Sequence, residues 1–378
     1  MHSTRTSEEE IKHRLDHLIK ELVSYTDKNK QQVINELLNL KSPFTAELLI
    51  YLLNDKDSRV REAAAQILGR IKDYRAITPL IKLLKDEQKS VRRSAVLSLG
   101  KFRHPQVIAP LFDALRDDDL SIRVYAMRAL SGIDDSNVIW PLIHALSNET
   151  PQIRWMAAEA LKKFRDTRIV NPLIHALKDK SWSVREEAAR TLAELKDIRS
   201  IKPLIEVLTR DINLRTRVYA ARALGRLQHR WGVQPLIYSL REVYNIVNPQ
   251  FWEVQDKFIK EIIESLLMIG EPAVEPLLEG FKDEDPRFRR NIIVTLGRIA
   301  DKHRSIVISS LLEFLKMKNE FLKEESLADV LDCLFYLSPS LEELKPFKNL
   351  FLSIMLISGK NKTVINQVKG LLQQIMKN

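Results

Sequence analysis

Two histidines and a run of three aspartates are the side chains of this sequence that could serve a metal ion or a reaction. His144 and His175 stand at the same place in two copies of the phrase PLIHAL, so the two could share a metal ion. The same place in the other copies of the phrase holds Lys82, Asp113, Glu206, Tyr238 and Glu279. That variable polar column is typical of a solvated face, and two ligands leave a zinc site incomplete. We therefore expect no metal site at the histidines.

The remaining reactive groups also give little support to catalysis. The run Asp117–Asp119 stands in a turn and is interpreted as a solvated helix cap rather than an acid–base pair. Cys333 is the only cysteine, so it can form neither an intramolecular disulfide nor a cysteine-based zinc site. The sequence has no glycine-rich phosphate loop, nucleophile elbow or H-E-x-x-H motif. We expect no catalytic residue, no metal and no cofactor, and we leave enzyme activity open.

The elements that carry these residues repeat along the chain. A Pro-Leu pair recurs in steps of 31, 31, 31, 31, 32 and 41 residues, at Pro79, Pro110, Pro141, Pro172, Pro203, Pro235 and Pro276. A second phrase places an apolar residue before an arginine, at Arg61, Arg92, Arg123, Arg154, Arg185, Arg217 and Arg289. Six residues before each arginine stands one of Asp55, Asp86, Asp117, Asn148, Asp179, Asp211 and Asp283. Such a period indicates a repeat protein rather than separate globular domains.

Each phrase predicts one helix of a pair. Proline is tolerated near a helix start, so the first phrase is a helix A. The aspartate ends helix A, and the arginine lies in the first turn of a helix B. Apolar or small residues follow helical spacing, as Val60, Ala64, Leu68 and Ile71 do in the first helix B. The sequence has only 10 glycines in 378 residues, which favours a helical chain with few left-handed turns.

These phrases resemble the HEAT repeat, in the short form of the phycobilisome-lyase (PBS lyase) group. The resemblance implies an all-α fold, a right-handed α-solenoid of stacked antiparallel helix hairpins. It divides the chain into N-terminal capping helices at 1–41, repeats at 44–300 with an irregular insertion at 242–255, and degenerate capping repeats at 301–378. The deoxyhypusine hydroxylases share this architecture and bind two irons through His-Glu pairs. This sequence contains no His-Glu dipeptide, which argues against that enzyme.

The recurring aspartates and arginines are interpreted as structural. The fork of donors on an arginine suits both a carboxylate and the end of a helix. We expect Asp86, Asp117, Asp179 and Asp211 to bond the turn region or an arginine of an adjacent pair. The alternative, a charged track for a ligand, is less favoured.

The helix-B stripe opposite the core is the strongest candidate binding site. In HEAT solenoids helix B lines the concave side, and we expect ten basic residues there: Arg70, Arg93, Lys101, Arg128, Lys163, Arg190, Arg222, Arg226, Arg290 and Arg298. The stripe also contains four acidic residues, Glu62, Glu159, Glu186 and Glu194. Trp155 lies on the stripe, with Tyr125 and Tyr219 beside it, and arginine with aromatics is typical of binding surfaces. We expect the most basic part at Arg190, Arg222 and Arg226, with the aromatics exposed.

The sequence therefore favours a non-catalytic scaffold that holds an acidic protein partner. The expected binding residues on the concave face are Arg70, Arg93, Lys101, Tyr125, Arg128, Trp155, Lys163, Arg190, Tyr219, Arg222 and Arg226. The insertion adds Tyr244, Phe251 and Trp252, which we expect to close one end of the groove. Two alternatives stay open, a nucleic-acid-binding HEAT protein and, from the family resemblance, a bilin lyase subunit acting on a tetrapyrrole-binding protein. The net charge of +10 permits an acidic partner without requiring one.

The sequence also indicates where in the cell the protein is located. Its first residues, MHSTRTSEEEIKH, have no apolar core and do not resemble a secretory signal. The longest nearly unbroken apolar run, at 350–357, is far shorter than the roughly 20 residues of a spanning helix. We expect a cytoplasmic protein that does not bind a membrane.

Overall fold

The described part of the chain is all-helical. A computed structural model describes residues 13–14, 17–18, 21, 36, 43–148, 150–245, 252–318, 322–357 and 361–376. Every regular element in these ranges is a helix and none is a strand, so the prediction of an all-α fold is confirmed. The chain forms two compact units, Met1–Pro172 and Leu173–Asn378. The prediction that every pair belongs to one continuous solenoid stays a prediction.

The first unit is a succession of helix pairs. Its helices are α1 (Pro43–Leu52), α2 (Ser58–Ile71), α3 (Ile77–Lys82), α4 (Lys89–Phe102), α5 (Ile108–Asp113), α6 (Leu120–Ser131), α7 (Ile139–Ala145) and α8 (Pro151–Leu161). Helix A of each pair is the shorter partner, and helices α3 and α5 continue into a 3-10 turn. The unit boundary falls within α9 (Val170–Ala176).

The second unit continues the same alternation and then departs from it. Its further helices are α10 (Trp182–Leu195), α11 (Ile201–Arg210), α12 (Leu214–Leu227), α13 (Val233–Glu242), α14 (Trp252–Ile269), α15 (Val274–Glu279), α16 (Pro286–Lys318), α17 (Glu324–Leu337), α18 (Leu341–Leu344), α19 (Lys348–Ile357) and α20 (Lys362–Met376). Helix α16 is two helices joined at a kink, where His303 has the non-helical dihedrals φ −129° and ψ 40°. Helices B start close to the recurring arginines, as predicted.

The helices begin where polar side chains satisfy their first backbone N–H groups. A 3-10 turn precedes helix A. The residue that caps this turn accepts a hydrogen bond from the backbone N–H group two residues later. The capping residues are Asp73, His104, Asp135, Asp166, Asp197 and His229. Asp119 caps helix α6 by accepting from the backbone N–H groups of Ser121 and Ile122 at 2.8 and 3.3 Å. The interpretation of the aspartate run as a helix cap is therefore confirmed for Asp119.

One repeated position of helix B is buried in the core and is occupied by alanine in most pairs. The alanine three residues after the recurring arginine is at most 1% exposed in six pairs: Ala64, Ala95, Ala126, Ala157, Ala188 and Ala220. Ile292 takes this position after Arg289 and is also fully buried. Small side chains at one repeated position let neighbouring helices approach closely, as the sequence predicted.

Several helices B end in left-handed residues that are not glycine. Lys72, Arg103, Lys196, Gln228 and Ser338 have φ between 46° and 58°. A side chain in this region costs roughly 1 kcal/mol compared with glycine. The chain thus makes these turns with polar residues in place of glycine.

The insertion at 242–255 is more helical than expected. Glu242 ends α13, residues 243–245 form a 3-10 turn, and α14 already begins at Trp252. The residues between them, 246–251, lie outside the described part of the chain, and so does most of the predicted N-terminal cap at 1–41. None of the helices in the described part has the length and apolar character needed to span a lipid bilayer.

Candidate functional site

In the first unit, an arginine of one helix B bonds an aspartate of the following pair. Arg61 donates from Nε and Nη2 to the Asp86 carboxylate at 2.8 and 2.9 Å. Arg92 donates in the same way to Asp117 at 2.8 and 3.1 Å. The Nη1 donors turn back to the carbonyls of Asp55 and Asp86 at 2.8 and 3.0 Å. Each arginine thus ties its own turn to the next pair, and we call each such contact a rung.

The second unit contains the same contacts. Arg185 donates to the Asp211 carboxylate at 2.6 and 2.8 Å, and Arg289 donates to Asp329 at 2.5 Å. Asp179 bonds within its own turn, where its carboxylate accepts from the Ser181 backbone at 2.8 Å. The structural interpretation of the aspartates and arginines is confirmed at all four predicted aspartates.

The rungs also set the ionisation of their carboxyls. Burial works against the charged form of Asp86, but hydrogen bonds from Arg61 and a backbone N–H outweigh it and lower its pKa below 3.8. The pKa of Asp117 is lowered in the same way by Arg92, again against the effect of burial. These carboxylates are therefore ionised at neutral pH and hydrogen-bonded to arginines, so they are not available as acids or bases.

Two arginines of the series, Arg123 and Arg217, donate to no aspartate among the described residues. Arg123 donates Nη1 to the carbonyls of Asp117 and Asp118 at 2.7 and 3.0 Å, and no carboxylate among the described residues accepts from its Nε or Nη2. The aspartate that would accept them is replaced by Asn148. Arg217 donates Nε to the Leu208 carbonyl at 2.6 Å, and burial lowers its pKa.

The period break also changes the charged partner of Asp283. The arginine expected on α14 is Ile259, so the next aspartate, Asp283, receives Arg241 of helix α13 instead. Arg217 itself covers the ring of Phe258, with its guanidinium carbon 5.0 Å from the ring centroid. The insertion thus shifts the register of charged partners by one helix.

The candidate metal and nucleophile residues lie in unreactive surroundings. His144 packs edge-on against the Phe112 ring, with centroids 5.1 Å apart. Within the described ranges, no three histidine, cysteine, aspartate or glutamate side chains are grouped to hold a metal. Burial raises the pKa of the Cys333 thiol to about 12, so the sulfur is protonated at neutral pH.

In the first unit, close helix packing brings basic residues of helices B together. A Cβ on Gly69 would lie 2.5 Å from Ser98 Oγ, and one on Gly100 would lie 2.8 Å from the Ala129 Cβ. Helices α2, α4 and α6 are therefore in near backbone contact. Their exposed neighbours on the same helices and at the end of α2 are Arg70, Lys72, Lys101 and Arg128, and these four residues are the basic surface of the first unit.

The charges of the basic surface act on one another. Burial, followed by the charges of Arg70 and Lys72, lowers the pKa of Lys101 below the usual lysine value. Lys72, Lys101 and Arg128 contact no carboxylate in the part of the chain that the structure describes. Lys72, Lys101 and Arg128 therefore concentrate positive charge that no described carboxylate neutralises.

Two other predicted residues of the first unit have local partners. Arg93 lies 3.9 Å from the Glu62 carboxylate, a weak pair at the surface. Lys163 donates Nζ to the carbonyls of Ser131 and Ile133 at 2.9 and 2.5 Å. Lys163 thus caps the end of helix α6 instead of facing a partner freely.

In the second unit the predicted arginines are paired with glutamates. Arg222 donates from Nε and Nη2 to Glu261 at 3.0 and 2.5 Å. Arg226 bonds Glu194. The stripe was expected to be most basic at Arg190, Arg222 and Arg226, but these bonds neutralise it there.

Arg190 has a mixed environment. It lies 3.5 and 3.4 Å from the carboxylates of Glu186 and Glu187, and its Nη2 donates to the Tyr219 hydroxyl at 2.9 Å. Two guanidinium groups contact the Tyr219 ring, at 4.8 Å for Arg190 and 5.4 Å for Arg222. This stacked cluster resembles a preorganised polar network more than an open basic groove.

The predicted aromatic residues are only partly accessible. Tyr125, Trp155 and Tyr219 are half-buried, whereas we expected them exposed. Tyr244 is half-buried too, because Arg287 covers its ring at 4.8 Å and Asn291 donates to its hydroxyl. Trp252 is 68% exposed, and Phe251 lies outside the described residues.

Sequence reasoning missed two charged residues that shape these surfaces. Glu261 neutralises Arg222, yet it follows the break in the period, where the stripe register no longer applies. Lys72 belongs to the basic surface but stands one residue past the end of α2, outside any helical register. A signal for Lys72 exists in the sequence, because cations are favoured at helix C-termini.

The sequence matches a known repeat family over more than half of its length. Residues 15–95, 77–150 and 139–225 match HEAT repeats, and residues 216–240 match the PBS lyase HEAT-like repeat. A comparison with curated proteins finds no match.

Several solved structures share features of this fold. Kap121p bound to Ste12p is 14% identical over 98% of this chain and 49% of its own, with a TM-score of 0.54. YibA of E. coli is 20% identical over 69% of this chain and 99% of its own, with a TM-score of 0.44. The CpcE and CpcF complex of phycocyanin lyase from Nostoc sp. PCC7120 is 22% identical over 63% and 98%, with a TM-score of 0.35. At these identities the likeness to Kap121p concerns the fold alone.

Proposed function

Because the chain belongs to the HEAT-repeat family, we propose that it is a non-catalytic scaffold that binds an acidic segment of a partner protein on the basic surface of its first unit. The observation that carries this proposal is the electrostatic environment of Lys101. Partial burial, and after it the like charges of Arg70 and Lys72, lower the pKa of its ammonium group. Acidic side chains of a partner would relieve that repulsion and form charge-assisted hydrogen bonds.

The packing of the first unit supports the same function. Helices α2, α4 and α6 are held in near contact at Gly69 and Gly100, so their exposed cations are carried by a rigid support. A rigid surface loses little conformational entropy on binding. Repeats of this type also provide extended surfaces that suit a long segment of another protein.

The fold relative adds support by analogy. The Kap121p structure holds Ste12p, so this fold can bind a protein. The analogy concerns the architecture only, since a fold does not define a function. The proposal that the partner segment is acidic rests on the basic surface of the first unit.

The second unit serves as an internal contrast. Arg222 and Arg226 are paired with Glu261 and Glu194, so they offer little net charge to a partner. We therefore assign the electrostatic part of binding to the first unit. This moves the expected centre of the site away from Arg190, Arg222 and Arg226.

Charge reversal at the basic surface tests the proposal. The double variant Lys101→Glu, Arg128→Glu should weaken binding of a fluorescent peptide rich in glutamate and aspartate by about tenfold or more, because it reverses two contacts. Binding is measured by fluorescence anisotropy, and circular dichroism verifies the fold. The matched control, Lys82→Glu with Lys85→Glu, makes the same charge change at exposed positions around the end of helix A and should bind nearly as wild type does.

The same assay separates a protein partner from nucleic acid. A single-stranded oligonucleotide of similar charge is titrated in parallel at several salt concentrations. Tight oligonucleotide binding with a steep salt dependence, without peptide binding, would favour the nucleic-acid alternative and overturn the proposal. Equal peptide affinity of the double variant and wild type would also overturn it.

A further inference from the structure

One arginine of the ladder has its donor fork open toward a pocket. At Arg61 and Arg92 the Nε and Nη2 groups both donate to an aspartate of the following pair. Arg123 keeps the third contact of these rungs, because its Nη1 donates to the Asp117 carbonyl at 2.7 Å. Its guanidinium is therefore held at its own turn, as at Arg61 and Arg92. No described carboxylate accepts the fork of Arg123.

The residue that replaces the aspartate does not close this rung. At an intact rung, one carboxylate oxygen accepts from a backbone N–H of its own turn while the carboxylate also accepts from the arginine, as Asp117 does with the Asp119 backbone at 2.9 Å. Asn148 repeats the first contact, since its Oδ1 accepts from the Thr150 backbone at 3.0 Å. Its Oδ1 accepts no hydrogen bond from the Arg123 fork, and its Nδ2 can only donate. Within the described residues, Nε and Nη2 of Arg123 and Nδ2 of Asn148 therefore have no acceptor.

A pocket of about 410 Å³ lies at this position. Its lining includes Arg123, Asn148, Arg116 and His144. Asp117 also lines it, but that carboxylate already accepts two hydrogen bonds from Arg92. The pocket is therefore rich in donors and holds no unoccupied carboxylate among its described lining residues.

The other open rung differs. Arg217 turns its Nε to the Leu208 carbonyl and lies over the Phe258 ring, so its guanidinium has found other contacts inside the second unit. The fork of Arg123 has no such replacement among the described residues. A pocket lined by hydrogen-bond donors therefore lies beside Asn148, whereas the guanidinium of Arg217 is already in contact with other groups.

We propose that the pocket between Arg123 and Asn148 binds a carboxylate group from outside the chain. The carboxylate accepts from Nε and Nη2 of Arg123 and from Nδ2 of Asn148, and Arg116 and His144 stand at the same pocket. A carboxylate is favoured over phosphate because the same fork takes carboxylates at Arg61, Arg92 and Arg185. The nearby Asp117 charge also disfavours a group that carries two negative charges, such as a phosphate dianion, whereas a single carboxylate group carries one. The carboxylate belongs either to a small carboxylic acid or to an acidic side chain of a protein.

The inference is independent of the proposed function. The pocket is lined by the ends of helices A and by turns, and it contains no residue of the basic surface. Loss of binding at one place therefore leaves the other intact. Reversal of Lys101 and Arg128 should not affect the pocket.

The test fills the pocket with the chain's own carboxylate. Asn148→Asp restores the rung, so it should raise the melting temperature and weaken succinate binding at least tenfold in isothermal titration. The matched control, Asn171→Asp, adds the same charge at an exposed position and should keep wild-type affinity. Arg123→Lys retains the charge but loses the fork, and it should also weaken binding at least tenfold.

The probes distinguish the sources of the carboxylate and its chemistry. Succinate, a short aspartate-containing peptide and inorganic phosphate are titrated against the same proteins. Binding of succinate or the peptide that is lost in both Asn148→Asp and Arg123→Lys supports the proposal and shows which source fits. Absence of succinate and peptide binding to wild type, a preference for phosphate, or unchanged affinity in Asn148→Asp would each overturn it.

Discussion

Arg92 and Asp117 stand 25 residues apart in sequence and are joined by two hydrogen bonds of 2.8 and 3.1 Å. The spacing follows from the repeat, because the aspartate precedes the arginine of its own pair by six residues and the period is 31. Their side chains are only 13% and 8% exposed. A short-range sequence pattern has thus become a contact between consecutive helix pairs.

Arg92→Ala should destabilise the protein strongly. The substitution leaves the Asp117 carboxylate nearly buried without its main partner, which costs about 2 to 4 kcal/mol. Arg123→Ala is the matched control, because the hydrogen bonds of Arg123 within the described residues go to backbone carbonyls, and we expect a loss of about 1 kcal/mol. Urea unfolding followed by circular dichroism gives both values. Equal losses for the two variants would contradict the role given to the rung.

Stability should fall in acid because of the rungs. The pKa values of Asp86 and Asp117 lie below 3.8 in the folded protein, so their contribution is fully present above about pH 4. It is lost as the pH falls through the folded values, when the carboxylates become protonated. Asp117→Asn should be less stable at pH 7 and should lose less stability between pH 5 and pH 2. Urea midpoints at several pH values test this, and parallel pH profiles for wild type and variant would refute it.

Gly69→Ala should destabilise the first unit by about 1 to 3 kcal/mol. Its Cβ would lie 2.5 Å from Ser98 Oγ and 2.7 Å from the Ser98 Cα, so helices α2 and α4 would have to separate. Gly132→Ala is the control, because its Cβ would meet nothing nearer than 3.4 Å and its φ is −81°. Thermal unfolding compares the two. A melting temperature of Gly69→Ala equal to that of Gly132→Ala would show that the close approach is absent in solution.

Lys196→Gly should stabilise the protein by about 0.5 to 1 kcal/mol. Lys196 ends helix α10 with φ 52°, a conformation that glycine adopts without strain. Lys162→Gly makes the same exchange at the end of helix α8, where φ is −56°, and there it should destabilise. Urea unfolding should therefore show changes of opposite sign for one and the same substitution. Changes of the same sign would argue against the left-handed cap.

The sequence by itself determined the local structure of this protein. The spacing of Pro79, Arg61 and their equivalents predicts helix pairs, and the alanines at one repeated position are buried as expected. These features depend on residues within one helix or one turn, whose periodicity can be read directly. The rungs join consecutive pairs, and they could be predicted where a regular period places the same arginine and aspartate in each pair.

Only the tertiary structure decided which charges are available to a partner. Glu261 neutralises Arg222 from a position 39 residues away, after an insertion has shifted the register. Arg123 and Asn148 line a pocket. The sequence shows that an amide replaces the carboxylate at position 148, but it does not show the pocket. Pairing and cavities depend on distances between helices that are remote in sequence. The repeat pattern contains no information on those distances once its period is broken.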